Sequence, residues 1–300
     1  MCLLVACTRY VQRSKFGVDM RSRLYLGCSQ LALLTAAALG YGTPVAAQSY
    51  NWSGFYAGLH AGVAWGDGNL SSSATCPPIT ATTQGYFCSS NNLPSLPNAA
   101  AVGATGTGSA SSSAFNGGAQ LGYNIQSGAF VFGVEGDIGT FGLKVNGAGS
   151  SKYPVNSFPV STANTFTVTT STEADWLGTV RGRLGYATSN LLIYVTGGLA
   201  FSDIKVSNSF SDNRAGGGFA GATGASSASK LTTGWALGGG VEMALSRNWT
   251  LKGEYLYVDL GSVTTNALIT HPGFVGYTNG LSTRADLNAQ IARVGVNYKF

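Results

Sequence analysis

The sequence predicts an all-β protein: an eight-stranded antiparallel up-and-down transmembrane β-barrel with four long extracellular loops. Three observations carry this expectation. Of 300 residues only 10% are charged, while 44% are hydrophobic and 43 are glycine, whereas an ordinary soluble domain is about 25% charged. After residue 47 no run approaches the roughly 18 apolar residues of a transmembrane helix. Apolar residues recur instead with period two, in segments joined alternately by tight turns and by long polar stretches.

Residues 1–47 read as an N-terminal extension and a secretory signal peptide. Met20-Arg-Ser-Arg23 supplies a charged start, Leu24 to Leu39 an apolar middle, and Val45 and Ala47 the small residues before a cleavage site, the three-part pattern of an exported chain. Met20 is an alternative start to Met1. Residues 48–300 are then the barrel domain. Removing the signal takes Cys2, Cys7 and Cys28 and leaves Cys76 and Cys88 within a Pro/Ser/Thr/Gly-rich segment. In an oxidising compartment this pair fits one disulfide closing a short loop; two free thiols are the alternative.

The +5 formal charge also resides mostly in the leader, which holds five of the 17 basic residues and one of the 12 acidic ones. The remaining 12 basic and 11 acidic residues nearly cancel. A basic stripe is the minimum footprint for nucleic acid, so nucleic acid is excluded as a partner.

Strand assignments follow from alternation. Phe55, Ala57, Leu59, Ala61, Val63 and Trp65 form one face of the first strand. Phe115, Ala119, Leu121, Tyr123 and Ile125 do so in the second, and Phe130, Phe132, Val134 and Ile138 in the third, opposite Glu135 and Asp137. In the fourth, Trp176, Val180, Leu184 and Tyr186 oppose Asp175, Thr179, Arg181 and Arg183. Ile193, Val195, Leu199 and Phe201 mark the fifth, with Leu192 and Tyr194 blurring the face. Trp235, Leu237, Val241, Met243 and Leu245 mark the sixth, opposite Glu242. Trp249, Leu251, Tyr255 and Tyr257 face away from Lys252 and Glu254 in the seventh, and Val294, Val296, Tyr298 and Phe300 from Arg293 and Lys299 in the eighth.

Connections Gln126–Ala129, Thr188–Asn190 and Ser246–Asn248 have hairpin length. Those at 67–114, 143–173, 203–232 and 260–284 are long and rich in Ser, Thr, Gly, Ala and Asn, with Ala99–Ala114 and Ala215–Ser229 reading as flexible filler. Short turns at one end and long loops at the other is the outer-membrane arrangement. Two aromatic girdles are expected, with Trp52, Phe55, Tyr123, Phe130, Tyr186, Trp249, Tyr298 and Phe300 on the turn side. Trp65, Phe115, Trp176, Phe201, Trp235 and Tyr257 belong to the loop side. The opposite face carries Glu135, Asp137, Arg181, Arg183, Glu242, Lys252, Glu254, Arg293 and Lys299, which cannot form a dry core. The apolar face therefore meets outer-membrane lipid, and the charges line the lumen. Glu135 should pair with Arg181 or Arg183, and Glu254 with Arg293, across adjacent strands.

Catalysis is not expected. The only histidines are His60, inward among glycines, and His271, in a loop; the G-x-S-x-G elbow is absent. Gly216-Gly-Gly-Phe-Ala-Gly221 fits a dinucleotide fingerprint but lies in a polar loop rather than between a strand and a helix, so no cofactor and no metal is called for.

Six segments, in this order, resemble one family. They are Trp52-Ser-Gly-Phe-Tyr-Ala-Gly58, Val131-Phe-Gly-Val-Glu-Gly-Asp137, Asp175-Trp-Leu-Gly-Thr-Val-Arg-Gly-Arg-Leu-Gly-Tyr186, Tyr194-Val-Thr-Gly-Gly-Leu-Ala200, Gly253-Glu-Tyr-Leu-Tyr-Val-Asp-Leu-Gly261 and Arg293-Val-Gly-Val-Asn-Tyr-Lys-Phe300. They resemble the opacity-type and outer-membrane immunogenic proteins of Gram-negative bacteria, often labelled porin family. The resemblance implies an OmpA-like barrel and no agreed catalytic residues. It further implies a C-terminal strand, here Val296, Tyr298 and Phe300, read by the barrel-assembly machinery. The expected role is structural or at the cell surface, as a monomer, with a small passive pore as a further use of the bore. The alternatives are a surface-loop adhesin or receptor with an unidentified extracellular ligand and, behind it, a lipid A-modifying enzyme.

Overall fold

The computed structural model describes residues 50–77, 97–154, 164–213, 220–273 and 276–300. The signal segment, Cys88 and most of the Gly216–Gly221 motif lie outside these residues. Eight antiparallel strands close into a barrel in sequence order: β1 (Gly54–Thr75), β2 (Gly108–Ser127), β3 (Phe130–Lys152), β4 (Thr165–Thr188), β5 (Leu191–Asp212), β6 (Thr223–Ala244), β7 (Trp249–Thr270) and β8 (Thr278–Lys299). Among the described residues one helix, α1 (Pro97–Thr105), precedes β2.

The strands are about twice the expected length. A membrane crossing takes about 9–11 tilted residues, yet β1 has 22 and β4 has 24. On β1 the lipid-facing band runs from Phe55 to Trp65, about 33 Å along a strand at ~3.3 Å per residue. At a tilt near 45° that covers the ~25 Å apolar band of a barrel. The ten residues beyond Trp65 continue the wall about as far again into the extracellular space. Three of the four long loops, 143–173, 203–232 and 260–284, are therefore mostly strand, and 67–114 contributes strand at both ends together with α1. Thr223–Ser229, read as filler, is β6, and Ala99–Thr105 is helix. Ser, Thr, Ala and Gly form strands here because each wall residue has hydrogen-bonded neighbours and one face is buried; their small side chains carry no loop signal of their own.

The two faces exchange character at the level of Trp65. Below it the wall is apolar outside and charged inside. Above it Asp67, Asn69, Ser71, Lys144, Asn146, Asp203, Lys205, Arg284 and Asp286 face outward, while Leu70, Leu143, Val145, Ile204, Val206, Leu260, Val263 and Leu287 point inward as one buried cluster. Six strands keep their residue parity through this level and only their chemistry inverts. In β4 and β7 a bulge also shifts the parity, so that Phe166 and Val168 lie on the inner side with Arg181, and Val263 with Lys252.

The hydrogen-bond ladders show what this upper half is. β2 and β3 pair from Ser127↔Phe130 only as far as Gly117↔Thr140. β6 and β7 pair from Ala244↔Thr250 to Trp235↔Asp259 and rejoin only at Thr223↔Thr270. The other six ladders run on to the top. Above the membrane the wall thus becomes two four-stranded sheets, β2-β1-β8-β7 and β3-β4-β5-β6, enclosing an apolar sandwich core. The β3 and β7 edges of the two seams begin at bulges. Gly142 (φ +50°) lies between Thr140 and Leu143, and Gly261 (φ +71°) between Asp259 and Ser262. Each supplies the left-handed conformation and local bend that re-aim an edge strand. A third irregularity, between Ala174 and Gly178, turns Asp175 outward, against the inward place its parity with Thr179 suggests.

Candidate functional site: the bore of the barrel

The chemistry-bearing residues converge in the lower bore. The β3/β4 register sets Glu135 opposite Arg181, and the β7/β8 register sets Glu254 opposite Arg293. The Arg181 guanidinium reaches Glu135 Oε1 at 2.7 Å, Asp137 Oδ2 at 2.7 Å and Glu254 Oε1 at 3.2 Å, while its Nε donates to Thr179 Oγ1 at 2.8 Å. Arg293 bonds Glu254 Oε2 at 2.6 Å and Asp137 Oδ1 at 3.0 Å. Lys252 Nζ donates to both oxygens of Glu135, at 2.9 and 3.0 Å. Three carboxylates and three cations form this closed group.

A second neutral group lies beside it. Arg183 pairs with Glu242 and stacks 3.7 Å from the centroid of Tyr194, while Thr250 and Asn297 donate to Glu242 Oε1. Tyr56 and Tyr194 tie in from the wall, donating to Glu135 Oε2 at 2.7 Å and Glu254 Oε1 at 2.9 Å. All eight charged side chains are at least nine-tenths buried. Buried ions persist only when paired and hydrogen-bonded, and here each is. Glycine backbones on β1 and β2 make the room: a Cβ on Gly62 would sit 2.7 Å from the Arg293 Cβ, and one on Gly58 2.1 Å from Asn297 Oδ1.

The bore is filled on both sides of this layer. Toward the turns, Trp52, Val131, Leu192 and Tyr194 form an apolar plug. Trp52, 2% exposed, is therefore inside the mouth and not on the girdle; Tyr50 meets it edge-on with ring centroids 4.7 Å apart. Toward the outside come the sandwich core, then a hydroxyl layer in which Thr283 joins Ser72 and Asn208 at 2.8 and 2.6 Å. The uppermost layer packs Ala99 and Val102 of α1 on Phe166, Phe210, Ile269 and Leu281.

The eight predicted lumen residues sit together, whereas Lys299 lies at the periplasmic mouth, half-buried, donating to the Asn51 carbonyl. Tyr56, Thr179, Tyr194, Thr250 and Asn297 complete the network; alternation puts Tyr56, Thr179, Thr250 and Asn297 on the inward face, but the sequence does not name them as partners of the charges. Tyr194 was signalled only by the blurred face of β5. His60 Nε2 lies 3.3 Å from Arg293 Nη1, and His271 Nδ1 accepts from the Gly273 amide at 3.0 Å. Cys76 is disulfide-bonded. Val296, Tyr298 and Phe300 all face outward. On the outer face above the membrane, Lys144 bonds Glu173 and holds its carboxyl below the usual carboxylate range.

Comparison with known proteins places this architecture. A 31 kDa outer-membrane immunogenic protein of Brucella melitensis is 36% identical over 192 residues, covering 62% of this chain and 66% of that protein, just under two thirds of its length. A 22 kDa outer membrane protein of Rhizobium leguminosarum is 35% identical over 149 residues, 49% of this chain and 54% of its own. A 25 kDa outer-membrane immunogenic protein of Brucella abortus is 25% identical over 254 residues, 85% of this chain and 82% of its own. The model of the outer membrane protein β-barrel domain matches residues 32–300. The chain belongs to that family, and its place is the outer membrane of a Gram-negative bacterium.

Proposed function

We propose that the protein is a non-conducting, non-catalytic monomeric barrel that holds a folded platform at the cell surface. The observation that carries this is the continuous filling of the bore, from the Trp52 plug through the ion layer to the sandwich core and α1. Eight strands leave an interior just wide enough for side chains, and here side chains occupy it. The charges serve as an internal brace rather than a selectivity filter, since every one of the eight is already satisfied by a partner. The two described histidines support the non-catalytic reading, one held against Arg293 and the other folded onto its own loop backbone. Outward-facing Val296, Tyr298 and Phe300 are available to the barrel-assembly machinery before insertion.

Planar-bilayer recording on refolded protein tests the central claim, with heat-modifiable gel mobility as the check on folding. Only rare, small current steps are expected; large stable openings would refute it. A second reading, a surface interaction protein, is favoured by the height of the wall above the bilayer. Replacing the connections 213–222 and 271–277 by Gly/Ser linkers would then abolish adhesion of expressing cells while leaving gel mobility intact.

A further inference from the structure

We infer that the periplasmic mouth carries a binding site for the head group of an acidic phospholipid of the inner leaflet. An open recess of about 380 Å³ lies there between the last turn, the β4/β5 turn and the segment before β1. Its polar lining is Tyr50, Asn51, Asn190, Ser246, Arg247 and Lys299, so it offers two cations, two amides and two hydroxyls. No acidic side chain occurs in 50–53, 126–129, 188–190 or 245–248, the segments at this end. Glu242, three residues before Leu245, is committed to Arg183, Thr250 and Asn297. Arg247 forms no ion pair among the described residues.

The recess is also structured. Lys299 is fixed by the Asn51 carbonyl and by the Tyr50 ring, 4.9 Å from its Nζ. The Asn248 side chain donates to the Lys299 carbonyl at 2.7 Å, clamping the turn to β8. Its outer lip is Leu245, which belongs to the lipid-facing surface together with Trp249 and Phe300. Cations immediately outside an aromatic girdle stand at the level of head groups. A phosphodiester placed between Arg247 and Lys299 would leave its acyl chains along Leu245 and Trp249. That continuity with lipid-facing surface favours a lipid over a soluble anion or a cell-wall polymer.

The test is native mass spectrometry of the refolded full-length protein, released from detergent and titrated separately with phosphatidylglycerol, phosphatidylethanolamine and inorganic phosphate. Phosphatidylglycerol should be retained in preference to phosphatidylethanolamine. Arg247→Gln, in an exposed turn, should weaken that retention roughly fivefold, and Arg247→Gln with Lys299→Gln roughly 25-fold, with heat-modifiable mobility unchanged. Equal retention of the two lipids, or retention indifferent to Arg247→Gln, overturns the proposal. So does inorganic phosphate binding as tightly as phosphatidylglycerol, or Arg247-dependent sedimentation with purified peptidoglycan in place of the lipid preference.

Discussion

Arg181 is where the internal brace can be tested most sharply. Its guanidinium touches Glu135, Asp137 and Glu254 within 3.2 Å and is fully buried. Arg181→Met keeps an unbranched apolar stem and removes the charged head, leaving three carboxylates facing only Lys252 and Arg293. Removing one partner of a buried ion group costs about 3–5 kcal/mol, because the orphaned charge stays behind. The assay is urea unfolding in lipid vesicles, followed by tryptophan emission and by heat-modifiable mobility, with the fall in unfolding free energy as the readout. Adding Glu135→Gln restores neutrality at two against two and should recover at least about 1 kcal/mol through non-additive coupling. A loss below about 1 kcal/mol for Arg181→Met, with no recovery in the double variant, would mean that water screens the bore and that the charges do not brace it.

The inversion of faces predicts three different responses to the same substitution. Val134→Lys, near the middle of the lipid band, should cost about 2–4 kcal/mol, and Ser209→Lys on the extracellular wall no more than about 0.5 kcal/mol. Val206→Lys, fully buried in the sandwich, should prevent heat-modifiable folding, since it buries an unpaired charge; if it were as harmless as Ser209→Lys, the upper half would not be a packed core. Gly261→Ala isolates the backbone contribution of one bulge, because nothing lies within 4 Å of the added carbon. It should cost about 1–2 kcal/mol by urea titration through its φ of +71° alone, and Gly261→Asn should cost less.

The membrane-spanning half was legible because its two faces differ as strongly as side chains can. Leu59 against His60, Val134 against Glu135 and Leu251 against Lys252 leave one choice of parity, and the tight turns fix the order of strands. The extracellular half was not legible, for a physical reason. Its outward residues are those that loops use, and its inward apolar residues, such as Ile204 and Val206, follow the charged parity of the strand below. A reader tracking Arg181 and Arg183 inward has no cause to expect Phe166 and Val168 on the interior side of the same strand. A bulge between Ala174 and Gly178 further breaks the count there. In the bore, charged residues announced themselves, whereas Tyr56 and Tyr194 have the composition of girdle residues and differ only in face. Trp52 shows the opposite failure, an aromatic at girdle height whose backbone enters the mouth before β1 begins.

The inversion at Trp65 also acts as a depth gauge. Were the barrel to sink by two residues, Asp67, Lys144 and Asp203 would approach hydrocarbon; were it to rise, Phe55, Phe130 and Phe300 would leave the bilayer for water. Both displacements are penalised on several strands at once, so the wall itself resists vertical movement. The upper strand ends and α1 consequently stand about 25 Å beyond the hydrocarbon, presented outward by a rigid post whose height is written into its own strands.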